Sequence, residues 1–227
     1  MLALANLYHQ AEIFYSIQGE GVSVGKPSIF IRLAGCNLAC TWCDTAYSWN
    51  GSVKAVYLSL EELVNKVLQY PCKHLVITGG EPLLQQKVLL RLGALLPEFS
   101  FEIETNGTIE PLPELLERVE QINVSPKLGH SGNSMEKAWN PSALQALAQS
   151  GKAWFKFVVS SESDIIHLLA EFEHLGISRS RILLMPQAKT RDELNSSRRQ
   201  VVDWCLKYNV RFSDRLHISI WGDKKGV

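Results

Sequence analysis

Three cysteines, Cys36, Cys40 and Cys43, stand in one short stretch, Cys36-Asn37-Leu38-Ala39-Cys40-Thr41-Trp42-Cys43. Soft thiolates grouped this way ligate iron–sulfur clusters or zinc. Cys40 and Cys43 alone would fit zinc or a redox pair; Cys36 adds a third ligand at a wider spacing. Three thiolates can hold three corners of a [4Fe–4S] cubane and leave the fourth iron open to a ligand. No other segment offers a fourth cysteine in a comparable setting, and Cys72 and Cys205 read as core or inert thiols. The alternative is a zinc site completed by a distant His or Cys, which would make the chain a non-enzymatic zinc-binding module.

A second stretch carries chemistry of another kind. Thr78-Gly79-Gly80-Glu81-Pro82 closes the apolar run His74–Thr78. Two glycines let a ligand approach the backbone, and a carboxylate can pair with an ammonium group. Alone, such a stretch is an ordinary turn. Behind a strand and after a cysteine loop it reads as a ligand site.

These loops need a scaffold, and the rest of the chain supplies its signals. Ser28–Leu33, His74–Thr78, Phe101–Glu104, Gln121–Ser125, Trp154–Val159 and Arg181–Met185 read as strands. They are short, rich in β-branched and aromatic residues, and bounded by turn formers. Several are apolar at consecutive positions, as parallel strands covered by helices are. Between them lie helix starts: Ser59 with Glu62 as a capping box, Asn140 before Pro141, Ser161 to Asp164, and Thr190 to Glu193 opening a helix to about Tyr208. Alternating β and α elements predict an α/β fold with a mainly parallel sheet. Six strands are too few for a complete eightfold barrel, so an open, partial TIM-like barrel is expected, as a single domain over residues 1–227. In such sheets the site lies at the C-terminal ends of the strands, where both loops fall.

Composition narrows the function. The chain has 46% apolar and 20% charged residues, the balance of a soluble globular protein. Lys plus Arg and Asp plus Glu number 23 each, a formal net charge of zero, against a general nucleic-acid or membrane-surface binder. Met1 to Gln10 shows no signal-peptide pattern and no run approaches a membrane span, so a cytoplasmic protein is expected.

The cysteine stretch, with an aromatic residue before its third cysteine, together with Gly79-Gly80-Glu81, resembles the signature of the radical S-adenosylmethionine (SAM) superfamily. The resemblance implies a [4Fe–4S] cluster on Cys36, Cys40 and Cys43, and SAM bound through Gly79, Gly80 and Glu81. It also implies reductive cleavage of SAM to a radical that takes hydrogen from a substrate. Phe14–Gly21, Gly25–Cys36, Cys43-Asp44-Thr45, Glu104–Thr108, Ser125-Pro126-Lys127 and Leu216–Val227 further resemble the 7-carboxy-7-deazaguanine synthase family. That family works in the deazapurine route to queuosine and archaeosine and acts on a carboxylated tetrahydropterin. The resemblance implies Gln18, Glu20, Arg32, Thr78, Glu104 and His217 as substrate contacts. An amide and a carboxylate suit the donor-rich pyrimidine edge, and Arg32 suits the substrate carboxylate. It implies Ser125 and Gln187 as SAM contacts and Thr45 as a Mg²⁺ ligand. Arg215 stands where the family often has Gln. A homodimer and an electron donor such as flavodoxin or ferredoxin are implied as partners. A glycyl-radical-enzyme activase, also short with such a cysteine loop, is the second enzyme alternative; the small-molecule handles at Gln18–Gly21 and Arg32 favour the pterin reading.

Overall fold

Each of the six runs read as strands is a strand of one sheet in the computed structural model, which describes residues 1–227. The strands are β1 (Leu2–Leu4), β2 (Asn6–Leu7), β3 (Gln10–Ala11), β4 (Ile13–Ile17), β5 (Pro27–Leu33), β6 (Val56–Leu58) and β7 (His74–Gly79). They continue with β8 (Ser100–Thr105), β9 (Gln121–Val124), β10 (Ala153–Val159), β11 (Ile182–Pro186) and β12 (Arg211–Phe212). The helices are α1 (Leu60–Val67), α2 (Gln86–Leu95), α3 (Pro113–Arg118), α4 (Met135–Ala138), α5 (Pro141–Gln149), α6 (Glu162–His174), α7 (Arg191–Tyr208) and α8 (Leu216–Trp221).

The sheet runs β12-β11-β10-β9-β8-β7-β5-β1-β6, and its two ends do not meet. From β5 through β12 every neighbour is parallel and the order follows the chain, as in an open portion of a barrel. At the other end β4 and β1 both pair antiparallel with β5, and β1 with β6. These N-terminal strands carry too few residues to show a period.

Alternation along the strands sorts two environments. Ile29, Ile31 and Leu33 of β5 are wholly buried in the main apolar core. Their neighbours Phe30 and Arg32 line a central cavity. The same division gives Phe101 and Ile103 to the core and Glu104 to the cavity, then Phe155 and Phe157 to the core and Lys156 to the cavity. Helices cover the apolar side. Phe172 of α6 meets the rings of Phe155 and Phe157 edge-on, with centroids 4.9 and 5.1 Å away.

Helix starts form where local chemistry placed them. Ser59–Glu62, Ser161–Asp164 and Thr190–Glu193 are reciprocal capping boxes, and Asn140 accepts from the N–H of Ala143. Helix α7 ends at Tyr208, where Asn209 turns left-handed at φ 52°. No helix is long and apolar enough to cross a membrane.

Candidate active site

The loops after β5, β7, β8, β9 and β11, with Lys156 and Val158 of β10, open on one cavity of about 580 Å³. Cys36, Cys40 and Cys43 line it from the loop that follows β5. None is in a disulfide, and all three are half-buried. Each sulfur has a nitrogen donor close by. Leu38 N–H donates to Cys36 Sγ at 3.4 Å, Asn133 Nδ2 to Cys40 Sγ at 3.3 Å, and Trp49 Nε1 to Cys43 Sγ at 3.4 Å. Such donors stabilise negative sulfur and tune a cluster's potential. The Lys127 ammonium lies among the same groups, fixed by the carbonyl and hydroxyl of Ser125 at 2.7 and 2.8 Å, and over the Trp42 ring at 5.7 Å. Burial pulls that ammonium's pKa down and pushes the Cys36 and Cys40 thiols up. Three free thiols on one loop, each with a nitrogen donor, are the donor set that a [4Fe–4S] cluster takes.

Gly79 and Gly80 reach the cavity as read from the sequence. Both are glycine for a further reason. Gly79 has φ 122°, and a Cβ there would meet Leu33 N and O at 2.3 Å. A Cβ on Gly80 would lie 1.8 Å from the Gly35 carbonyl oxygen, just ahead of Cys36. The two loops therefore touch backbone to backbone, sealed by hydrogen bonds from Gly80 N to Leu33 O and from Glu81 N to Gly35 O. Gly80→Ala is expected to cost about 1–3 kcal/mol through this overpacking. Anaerobic thermal melts of the cluster-loaded protein measure it, with lowered iron content as the second readout.

Glu81, expected to pair with the SAM ammonium, has its carboxylate turned into the protein. Its side chain is wholly buried and does not line the cavity. It accepts from Leu83 N–H at 2.9 Å, Thr105 O–H at 2.7 Å and Asn106 N–H at 2.7 Å. The carboxylate thus braces the loops after β7 and β8. Burial pushes its pKa up against those three donors.

The remaining expected residues share the same cavity: Gln18, Glu20, Arg32, Thr45, Thr78, Glu104, Ser125, Gln187 and His217. Arg32 Nε donates to the buried Glu12 at 2.9 Å, and Tyr47 O–H donates to the other Glu12 oxygen at 2.8 Å. The two terminal nitrogens of Arg32 have no partner in the protein and face the cavity. Thr78 O–H donates to Glu104 Oε2 at 2.6 Å, and Gln18 Nε2 to Glu104 Oε1 at 3.2 Å. Thr45 Oγ1 lies 3.8 Å from Cys43 Sγ.

Glu20 sits in an ion cluster whose other members the sequence did not reveal as partners. Lys156 of β10 pairs with Glu20 Oε2. Arg215 Nε donates to Glu20 Oε1 at 2.9 Å, while its terminal nitrogens hold Asp44 and the Ala188 carbonyl. His217 Nε2 is 3.8 Å from Glu20 Oε1. Burial pushes the Glu20 carboxyl up, but Lys156, Arg215 and His217 outweigh it and hold its pKa well below the usual range. Arg215 does the same for Asp44, and burial lowers His217. The signal for Lys156 was present: a single cation within Trp154–Val159, where a buried charge must find a partner. Backbone bonds from Leu216 N to Gly19 O, and from Gly21 N to Ser213 Oγ at 2.8 Å, tie the C-terminal segment to the Gln18–Gly21 loop.

Comparisons with known proteins agree in one direction. The radical SAM superfamily model matches residues 30–187. A 7-carboxy-7-deazaguanine synthase from Pyrobaculum aerophilum is 41% identical over 218 residues, covering 95% of this chain and 95% of its own length. The one from Hyperthermus butylicus is 38% identical over 229 residues, covering 96% and 94%. In three dimensions the chain is similar to the crystal structure of QueE from Escherichia coli. The TM-score is 0.70 at 29% identity, over 95% of this chain and 94% of that one.

Proposed function

The chain belongs to the radical SAM superfamily and, within it, to the 7-carboxy-7-deazaguanine synthases, and on that premise we propose that its cavity takes 6-carboxy-5,6,7,8-tetrahydropterin. The product is 7-carboxy-7-deazaguanine, formed with loss of ammonia and no net oxidation. One observation carries the reading: a free guanidinium fork on Arg32 and an acceptor pair on Gln18 and Glu20 face one cavity with the three cysteines. A carboxylated pterin offers a carboxylate for the fork and amino-pyrimidine donors for the acceptors.

Cys36, Cys40 and Cys43 would hold the [4Fe–4S] cluster, and the backbone at Gly79 and Gly80, with Ser125 and Gln187, would hold SAM. The cluster with SAM supplies one-electron cleavage of the sulfonium and hydrogen abstraction from substrate. This chain's residues do the placing. Arg32 fixes one end of the substrate. Glu20, kept ionised by Lys156 and Arg215, accepts at the other. Thr78 and Glu104, bonded to each other, form the wall between. The His217 imidazole beside Glu20, its pKa lowered by burial, can accept or donate a hydrogen bond at Nε2 according to its tautomer.

Anaerobic incubation with SAM, dithionite and carboxytetrahydropterin tests the activity. Product mass should show 7-carboxy-7-deazaguanine; intact pterin beside cleaved SAM would refute the substrate. Thr45 beside Cys43 supports Mg²⁺ as a further ligand, held by that hydroxyl and substrate oxygens. Millimolar Mg²⁺ is expected to raise turnover severalfold over EDTA-treated enzyme, and Thr45→Ala to flatten that response. Equal rates with EDTA and with Mg²⁺ would count against it. The working form is a cytoplasmic homodimer reduced by a flavodoxin- or ferredoxin-type donor, with no nucleic-acid or membrane partner.

A further inference from the structure

Beneath the cavity floor lies a chain of buried polar groups that the proposed reaction does not use. It begins at the backbone carbonyl of Lys26, which can only accept. Ser28 O–H donates to that carbonyl at 2.9 Å. Its proton being committed, Ser28 Oγ must accept from His74 Nδ1, 2.8 Å away. His74 Nε2 is then bare and faces Glu102 Oε2 at 3.5 Å. Glu102 is wholly buried, and its Oε1 accepts from Gln18 Nε2 and from Asn123 Nδ2, each at 2.7 Å. Gln18 Nε2 spends its second hydrogen on Glu104 Oε1 at 3.2 Å. Both amide hydrogens of Gln18 are therefore consumed by carboxylates below and beside it. What remains is Oε1, which meets the N–H of Glu20 at 3.3 Å and has a lone pair to spare.

We infer that Glu102 is a positioning residue that makes Gln18 a pure acceptor, so that the site selects a ring edge with two adjacent N–H donors. The inference rests on the pterin reading of the cavity and deepens it. The opposite rotamer of the Gln18 amide would turn its carbonyl onto two carboxylates, a contact without a hydrogen. The polarity does not depend on the charge of Glu102. Ionised, Glu102 accepts at both oxygens. Protonated, it places its O–H toward the bare His74 Nε2 and still accepts at Oε1. Burial favours the second arrangement, since it raises the Glu102 carboxyl and lowers His74 to about 4.

Gln18 Oε1 and the Glu20 carboxylate, which keeps lone pairs beyond those taken by Lys156 and Arg215, thus offer acceptors from one loop. A 2-amino-4-oxo pyrimidine meets them with its amino and ring N–H groups. A 2,4-dioxo ring offers a donor beside an acceptor there, and its 2-oxo group would oppose an oxygen. The discrimination originates one layer below the residues that touch the ligand.

The test compares pterin-6-carboxylate with lumazine-6-carboxylate, the 2,4-dioxo counterpart, by anaerobic calorimetry on cluster-loaded enzyme with SAM. Wild type is expected to prefer the pterin by at least about tenfold. Glu102→Gln retains that ratio, because its NH₂ can serve His74 and its carbonyl Gln18. Glu102→Leu is expected to lower the ratio at least about threefold, because the Gln18 amide then keeps only its longer contacts, to Glu104 Oε1 at 3.2 Å and from the Glu20 N–H at 3.3 Å. Equal weakening of both ligands by Glu102→Leu, with the ratio kept, would assign Glu102 a packing role and overturn the inference. Should Glu102→Leu fail to fold, loss of the ratio in Glu102→Gln overturns it equally. Wild type binding both ligands alike removes the inference and leaves the pterin site standing; wild type binding neither removes both.

Discussion

Cys36→Ala, Cys40→Ala and Cys43→Ala are each expected to emerge from anaerobic reconstitution without iron–sulfur absorbance and without SAM cleavage, while Cys72→Ala and Cys205→Ala retain both. The contrast follows from placement. The first three sulfurs line the cavity with nitrogen donors beside them. Cys72 donates to the Pro27 carbonyl at 3.2 Å, at the opposite end of β5. Cys205, on the buried face of α7, donates to Arg211 O at 3.4 Å, and burial pushes its thiol up to about 11, far from thiolate chemistry. Removing one corner ligand leaves two thiolates, too few to keep a cubane against hydrolysis and loss. Iron and sulfide analysis with SAM cleavage measures the outcome. Full cluster content in Cys36→Ala would sink the ligand assignment.

Arg32→Ala is expected to lose at least about tenfold in pterin-6-carboxylate affinity, with cluster assembly and uncoupled SAM cleavage retained. The free side of the guanidinium is the reason. Its Nε is anchored to Glu12, which Tyr47 holds in turn, so the terminal nitrogens point into the cavity as a fixed fork. Loss of such a partner for a desolvated anion costs about 2–5 kcal/mol. Glu12 raises the guanidinium pKa against the effect of burial, so the fork is always charged. Arg32→Lys should rescue only part, since an ammonium cannot make the paired contact or hold Glu12 at the same time. Calorimetry on the anaerobic, cluster-loaded enzyme reads the difference. Unchanged affinity in Arg32→Ala would refute the pterin site while leaving the superfamily assignment intact.

Much of this architecture was legible in the chain, and for local reasons. The six parallel strands announce themselves because they are short runs rich in β-branched and aromatic residues, several apolar at consecutive positions, between turn formers. The capping boxes of α1, α6 and α7 need only four residues each, so their sequence contains the whole interaction. Strands β1, β6 and β12 escaped because they have only two or three residues each and owe their form to partners distant in sequence, such as Leu4 opposite Leu33. In the site, motif spacing placed Gly79, Gly80 and the cysteines, yet spacing cannot say which way a carboxylate turns. Glu81 turns into the protein, toward Thr105 and Asn106. Glu102 and Glu104 alternate with Phe101 and Ile103, a pattern that also describes a solvated strand face. Only the curved sheet reveals that this face is interior. The Lys156–Glu20–Arg215–Asp44 cluster joins residues from four remote segments, and long-range pairing of that kind leaves no local trace.

The division of each strand between a core side and a cavity side bears on how such a protein can change over generations. Ile29, Ile31, Leu33, Phe101, Ile103, Phe155 and Phe157 carry the folding energy. Phe30, Arg32, Glu104 and Lys156 interleave with them but face the cavity. A mutation at one set leaves the packing of the other intact, since adjacent side chains point to opposite faces. Stability and specificity are thereby written on alternate letters of the same segments. A lineage can exchange the letters that face the cavity, and with them the molecule it transforms, while the scaffold persists.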